Sequence, residues 1–129
     1  MYRILVVEDD VLMRRVLKEG LRPSGFEMIE CVNGTQALDL ARKDKPDLVI
    51  LDMHLPDRWG ADVCKDLKSD PATKHIPVVI LTGEARSLES RVEGLDLGAE
   101  DYLFKPISLK VLTARISSIL NVTTKPTRQ

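Results

Sequence analysis

Hydrophobic residues along this chain fall into five short runs, separated by segments in which they recur every three or four positions. The runs cover residues 3–7, 26–32, 47–51, 78–81 and 101–104. Three of them contain the continuous stretches ILVV, LVIL and VVIL. Continuous runs rich in β-branched residues are typical of strands covered on both faces, as in a parallel sheet. We therefore predict five strands in a buried parallel sheet.

The segments between the runs have the spacing of amphipathic helices. The predicted apolar stripes are Leu12, Met13, Val16, Leu17 and Leu21; Ala37, Leu38 and Ala41; Val63 and Leu67; Leu88, Val92 and Leu95; and Leu109, Leu112, Ile116 and Ile119. Asp10 and Ser108 are placed to cap the first and the fifth helix. A strand followed by a helix, five times over, predicts an α/β doubly wound sheet with helices on both faces and right-handed crossovers.

Composition narrows the class of protein. The chain has 129 residues, 43% of them hydrophobic and 30% charged, which suits one globular domain. A net charge of -1 and 4% aromatic residues argue against direct nucleic-acid binding. No apolar run approaches the roughly 20 residues of a membrane span, so we expect no membrane association. Cys31 and Cys64 make no metal-type pair, and we expect reduced, buried thiols in a cytoplasmic protein.

Polar residues follow the predicted strands where each strand ends. In doubly wound sheets, ligands bind outside the carboxyl ends of the strands. The first run ends in Glu8, Asp9 and Asp10, the third in Asp52, the fourth in Thr82 and the fifth in Lys105. The sequence therefore predicts acids, a hydroxyl and a lysine at one edge of the sheet.

Asp9 and Asp52 are expected to face each other across neighbouring strands. Two close carboxylates repel each other, and a hard divalent cation relieves the conflict. Magnesium prefers oxygen ligands and often uses one or two carboxylates plus a phosphate, while Glu8 would hold a metal-bound water. Lys105 and Thr82 would supply a positive charge and a hydroxyl to a phosphoryl group. These are parts for phosphoryl transfer, with Asp52 as the expected nucleophile.

Each of these residues also has an ordinary structural interpretation. The EDD sequence alone would be a solvated turn with a helix cap, and Thr82 a strand-end hydroxyl bonded to backbone. Lys105 would be a surface lysine extending from its strand, and Tyr102 a half-buried aromatic of an edge strand. Because all these groups occur at the ends of neighbouring predicted strands, a shared functional site is favoured over these separate structural roles.

The order and spacing of the motifs resemble those of the receiver domain of two-component response regulators. The matching motifs are ILVVEDD, DLVILDMHLP, PVVILTG and DYLFKP, which extend over about residues 3–120. The resemblance implies a flavodoxin-like receiver fold, with a five-stranded parallel sheet in the order 2-1-3-4-5 and five helices. It makes residues 1–121 the receiver domain and leaves residues 122–129 as a polar tail or the start of a linker.

The resemblance also implies a metal site. Asp52 is the phosphoacceptor, and Asp52, Asp9 and the backbone carbonyl of His54 bind Mg²⁺ or Mn²⁺ directly. Glu8 binds the metal through water. The positions of the His54 side chain and of Glu84 are ones that tune phosphate lifetime in the family, although His54 also fits a plain solvent-facing loop residue.

The same resemblance assigns a phosphate-binding and switch role to three residues. Thr82 is the switch hydroxyl, Lys105 binds the phosphoryl group, and Tyr102 is the switch aromatic. The bond between Lys105 and Pro106 is expected to be cis. Trp59 departs from the family, since many relatives carry Asp or Asn there. We expect a partly exposed loop residue that packs over the site or meets a partner, and we favour the packing.

The implied function is a signalling switch. Asp52 accepts a phosphoryl group from a sensor histidine kinase, a histidine phosphotransfer protein or a small donor such as acetyl phosphate. Thr82 then moves inward and Tyr102 turns into the vacated space, which remodels the face of the fourth helix, fifth strand and fifth helix. A partner, an attached output domain or a second protomer in a homodimer reads that face. The chain would be no conventional enzyme, but a phosphoacceptor that assists its own phosphorylation and dephosphorylation.

Three other functions compete with this one. The alternative that keeps the fold is an interaction or dimerisation module independent of phosphorylation, but the intact Asp9, Asp52, Thr82 and Lys105 argue against it. A phosphatase of the haloacid dehalogenase type would need a second Asp where His54 stands. A flavodoxin-like cofactor carrier would place phosphate against three acids, which repel it.

The sequence does not identify the output of the switch. The chain could be a stand-alone regulator or a piece of a larger one, and its sequence looks most like receivers attached to cyclic-di-GMP enzymes or found in hybrid kinases.

Overall fold

The computed structural model of the chain describes residues 1–83 and 98–121. These residues form β1 (Tyr2–Val7), α1 (Val11–Leu21), a 3-10 turn (Arg22–Ser24), β2 (Phe26–Cys31), α2 (Gly34–Asp44), β3 (Leu48–Asp52), α3 (Gly60–Ser69), β4 (Val78–Thr82), β5 (Asp101–Phe104) and α4 (Leu109–Leu120). The strands form one sheet in the order 2-1-3-4-5, and every neighbouring pair is parallel, as predicted. The helix α4 is the fifth predicted helix, and the fourth, around Leu88, Val92 and Leu95, lies outside the described residues.

Both faces of the sheet are buried. Every residue of β3 and β4 is buried, as are the last four residues of β1. Leu5 and Val7 pack with residues of α2 and α3 on one face, whereas Ile4 and Val6 pack with residues of α1 and α4 on the other. The continuous hydrophobic runs are therefore strands covered on both sides, and the predicted doubly wound architecture is confirmed.

The two cysteines lie in the core on the α2 and α3 side of the sheet. Both are buried and in the reduced form, as predicted. Burial raises the pKa of the Cys64 thiol to about 11, so this group stays protonated at neutral pH.

The helix α1 begins as predicted but packs differently. The carboxylate of Asp10 accepts hydrogen bonds from the amides of Leu12 and Met13 at 2.9 and 3.3 Å, which caps the helix. Leu17 is fully buried, whereas Leu12 and Val16 are 68% and 48% exposed. The predicted stripe was therefore wrong at Leu12 and Val16. The residues that face the sheet are Leu17 and those four positions before and after it. Leu12 and Val16 each come one residue earlier in the sequence, so their side chains point away from this buried line.

The helix α4 agrees with its predicted stripe. Ser108 caps it by accepting a hydrogen bond from the amide of Val111 at 3.2 Å. Leu112 and Ile116 are buried, and Leu109 and Ile119 are partly buried against the same core. Within the part of the chain that the structure describes, no helix has the length and hydropathy that a membrane crossing requires.

Candidate functional site

The predicted strand-end residues meet at one edge of the sheet. Asp52 is the last residue of β3, and Glu8 and Asp9 directly follow β1, which pairs with β3. One carboxylate oxygen from each of these three residues lies within 4.8 Å of the other two. The parallel topology therefore produces the acidic cluster that the sequence predicted, and its hard oxygen donors are the kind that Mg²⁺ prefers.

Lys105 joins two of these carboxylates. Its Nζ lies 2.9 Å from Oδ1 of Asp52 and 3.2 Å from Oε1 of Glu8. The side chain of Lys105 is 23% exposed, and its two ion pairs argue against the interpretation as a lysine that simply extends into solvent. The backbone amide of Lys105 donates to the carbonyl of Thr82 at 2.7 Å, which fixes the end of β5 beside the end of β4.

Burial dominates the electrostatics of the cluster. Glu8 is 2% exposed and Asp52 is 4% exposed. Burial raises the pKa of both carboxyl groups, and the charge of Asp52 raises the pKa of Glu8 further. Burial alone would lower the pKa of Lys105, but its contacts with Asp52 and Glu8 outweigh this effect and raise it. Three acids against one lysine leave this edge of the sheet with an excess of negative charge, which favours a bound cation.

Arg14 holds the turn that carries the acidic residues, a role that was not predicted from the sequence. Its Nη1 donates to the backbone carbonyls of Glu8 and Asp9 at 2.9 and 3.1 Å, and its Nε donates to Glu30 at 3.3 Å. The amide of Asp10 donates to Oε2 of Glu8 at 3.1 Å, which fixes the Glu8 side chain. Arginine is common in the first turn of exposed helices, so its presence at this position does not predict these contacts.

The loop after β3, residues 54–59, carries His54 and Trp59. Both side chains are exposed, and their rings meet edge to face with centroids 5.0 Å apart. Trp59 is 57% exposed, in agreement with the predicted partly exposed loop residue, and its ring contact is with His54.

The remaining predicted residues lie on β4 and β5 or beyond them. Thr82 is buried at the end of β4. Tyr102 is also buried, with its ring 5.7 Å from that of Phe104, which corrects the interpretation as a half-buried edge aromatic. The bond between Lys105 and Pro106 is cis. Glu84 lies outside the described residues.

Comparison with known proteins places the chain in a family. The response regulator receiver domain matches residues 4–117. The chain is 42% identical over 122 residues to the response regulator MprA of Mycolicibacterium vanbaalenii, an alignment that covers 95% of this chain and 52% of MprA. It spans about half the length of the first curated relatives that it matches.

Solved structures agree with this assignment. A putative response regulator from Chloroflexus aurantiacus superimposes with a TM-score of 0.88 at 33% identity, covering 93% of this chain and 98% of that one. The receiver domain of the sensor histidine kinase PA1611 from Pseudomonas aeruginosa, solved with a magnesium ion in its active site cleft, gives a TM-score of 0.85 at 26% identity, covering 93% and 98%. The motifs, the sheet order and these matches show that the chain belongs to the response regulator receiver domain family.

Proposed function

We propose that this chain is a phosphorylatable switch that accepts a phosphoryl group on Asp52. The donor is the phosphohistidine of a sensor histidine kinase or of a histidine phosphotransfer protein. The observation that carries the proposal is the position of Asp52, which lies at a strand end, 2.9 Å from the Lys105 ammonium and within the acidic cluster with Glu8 and Asp9.

The donor set at this edge fits Mg²⁺ or Mn²⁺. Asp9 and Asp52 would bind the ion directly together with the backbone carbonyl of His54, and Glu8 would bind it through water. A bound ion would neutralise the negative charge that develops on the phosphoryl oxygens. The magnesium ion in the cleft of the PA1611 receiver domain supports this fit.

The side chains of this chain perform the transfer in one displacement. A carboxylate oxygen of Asp52 attacks the phosphorus, the bond between phosphorus and the donor imidazole breaks, and the imidazole leaves with its electron pair and takes up a proton. Lys105 stabilises the negative phosphoryl oxygens throughout. Because Asp52 is consumed in each event and restored by hydrolysis, the chain acts as a phosphoacceptor rather than as a conventional enzyme. The positions of His54 and Glu84 are proposed to tune the rate of that hydrolysis.

The proposed switch uses the neighbouring strand ends. The hydroxyl of Thr82 donates to the new phosphoryl group, and Tyr102, which is buried on β5, turns into the space that Thr82 vacates. The face formed by the predicted fourth helix, β5 and α4 then changes shape and is read by a partner, an attached output domain or a second copy of the chain.

Intact-mass measurement after incubation with acetyl phosphate and Mg²⁺ tests the proposal. We expect one added phosphoryl group on the wild-type chain and none with EDTA or on Asp52→Asn, which keeps the shape of the side chain but removes the nucleophile. An adduct that persists in Asp52→Asn would contradict the proposal. So would the absence of any adduct both with acetyl phosphate and with a phosphorylated histidine phosphotransfer protein, a result that favours an interaction module independent of phosphorylation.

A further inference from the structure

The loop of residues 54–59 is closed at its base against the strand that carries Asp52. The amide of Gly60 donates to the carbonyl of Met53 at 2.6 Å, and His54 and Trp59 form an isolated antiparallel bridge. A Cβ at Gly60 would lie 2.7 Å from the Cα of Met53 and would also collide with the carbonyl oxygen of Asp52. The closure therefore requires glycine at this position, and it places the base of the loop beside Asp52.

The tip of the same loop is fixed by Asp57 to the beginning of α2. One oxygen of Asp57 accepts from the amide of Gly34 at 2.8 Å, and the other accepts from the amide of Thr35 at 2.8 Å and from its hydroxyl. These two amides have no partner inside the helix, and the helix dipole favours a negative charge there. The hydrogen bonds from Thr35 and Gly34 lower the pKa of Asp57 to about 2, so the carboxylate is ionised at neutral pH.

The helix α2 has a cap of its own. The side chain of Asn33 accepts from the amide of Gln36 at 2.9 Å, as an ordinary N-cap does. Asp57 is more than twenty residues away along the chain, and its hydrogen bonds connect the helix to the loop. The approach is close, because a Cβ at Gly34 would lie 3.2 Å from the Cβ of Arg58.

We propose that Asp57 is a positioning residue for the metal site. By fixing the tip of the loop to α2, it holds the backbone of His54 in place, so that the loop does not lose conformational freedom when the ion binds. This inference rests on the proposed function, since it is the carbonyl of His54 that the proposed site uses. It makes metal binding depend on Asp57, a residue that touches neither the ion nor the phosphoryl group.

Two variants separate a role in metal binding from a role in helix stability. Asp57→Asn weakens the connection between the loop and α2, whereas Asn33→Ala removes the other cap of the same helix and leaves that connection intact. Binding is measured with Mn²⁺ alone, from the electron paramagnetic resonance signal of the free ion, and Asp52→Asn identifies binding at this site. The melting temperature of each variant is recorded, and we expect it to fall in both capping variants.

The expected result is a Kd for Mn²⁺ that is about tenfold higher in Asp57→Asn and changed by less than about twofold in Asn33→Ala. Thr35→Val removes one of the three donors to Asp57 and should raise the Kd by a smaller factor. If Asp57→Asn does not fold, the Kd for Mn²⁺ of Thr35→Val is compared with that of Asn33→Ala instead. A higher Kd in Thr35→Val alone supports the inference, and equal values overturn it.

An unchanged Kd in Asp57→Asn, or equal changes in Asp57→Asn and Asn33→Ala, would overturn the inference and leave Asp57 as a helix cap alone. A wild-type chain that binds no Mn²⁺ would overturn both the inference and the metal-dependent function. A wild-type chain that binds Mn²⁺ but accepts no phosphoryl group would fail the proposed function only, and the change in Kd would still decide the role of Asp57.

Discussion

The ammonium group of Lys105 lies between two carboxylates that are almost fully buried. A pair of exposed ions contributes little to stability, but removal of one partner from a buried group leaves a charge that nothing compensates. Lys105 therefore balances the charge of Glu8 and Asp52 when no other cation is present. For the same reason, it would compete electrostatically with a metal ion for these oxygens. We therefore expect Lys105 to affect metal binding and phosphoryl transfer in opposite directions.

Lys105→Met keeps the aliphatic stem and removes the charge. We expect the Kd for Mn²⁺ to fall or stay unchanged, because a competing cation is lost. The rate of phosphorylation by acetyl phosphate should fall by about a hundredfold, because the phosphoryl oxygens lose their fixed positive charge. Lys110→Met, at an exposed position of α4, is the matched control and should change neither quantity. A higher Kd together with an unchanged phosphorylation rate would show that Lys105 serves the metal site instead.

At the scale of elements, α1 divides its apolar residues between the core and the surface. The periodicity correctly predicted the helix and its cap at Asp10, because both depend on local sequence. It did not distinguish the buried line through Leu17 from the adjacent line through Leu12 and Val16. That choice depends on where the sheet lies relative to the helix, which a local pattern does not contain.

The two lines of α1 differ in their expected contribution to stability. Leu17→Ala should lower the free energy of unfolding by about 2–5 kcal/mol, because it leaves a cavity between α1 and the sheet. Leu12→Ala should change it by less than about 0.5 kcal/mol, because that side chain is already in solvent. Urea unfolding of the two variants measures the difference. Similar losses in both would mean that the first turn of α1 is packed in solution.

The strand ends show a second limit of the hydrophobic pattern. The predicted third and fourth strands stopped at the last apolar residue, whereas β3 and β4 continue through Asp52 and Thr82. The amide of Met53 donates to the carbonyl of Leu81 at 2.8 Å, so the backbone pairing extends past the hydrophobic run. Backbone hydrogen bonds form regardless of side-chain polarity, and this is why Asp52 and Thr82 belong to the strands.

At the scale of the whole molecule, the topology explains which parts of the site the sequence revealed. Parallel strands bring their carboxyl ends to one edge, so acids and a lysine far apart in sequence could be predicted to meet. Arg14 and Asp57 were missed, because their partners are backbone carbonyls and amides, and in the case of Asp57 these belong to a segment more than twenty residues away. No residue pattern marks such contacts before the fold is known. The net charge of -1 shows that the negative edge is a local property rather than an excess of acid over the whole chain.

Chemical trapping shows whether the phosphoryl group resides on Asp52. Borohydride reduces an aspartyl phosphate to homoserine, which peptide mapping locates to a single residue. After incubation with acetyl phosphate and Mg²⁺, we predict homoserine at position 52 and unmodified Asp52 in a sample that contains EDTA. If the chain is phosphorylated but Asp52 is intact and homoserine appears at Asp9 or elsewhere, Asp52 is not the phosphoacceptor.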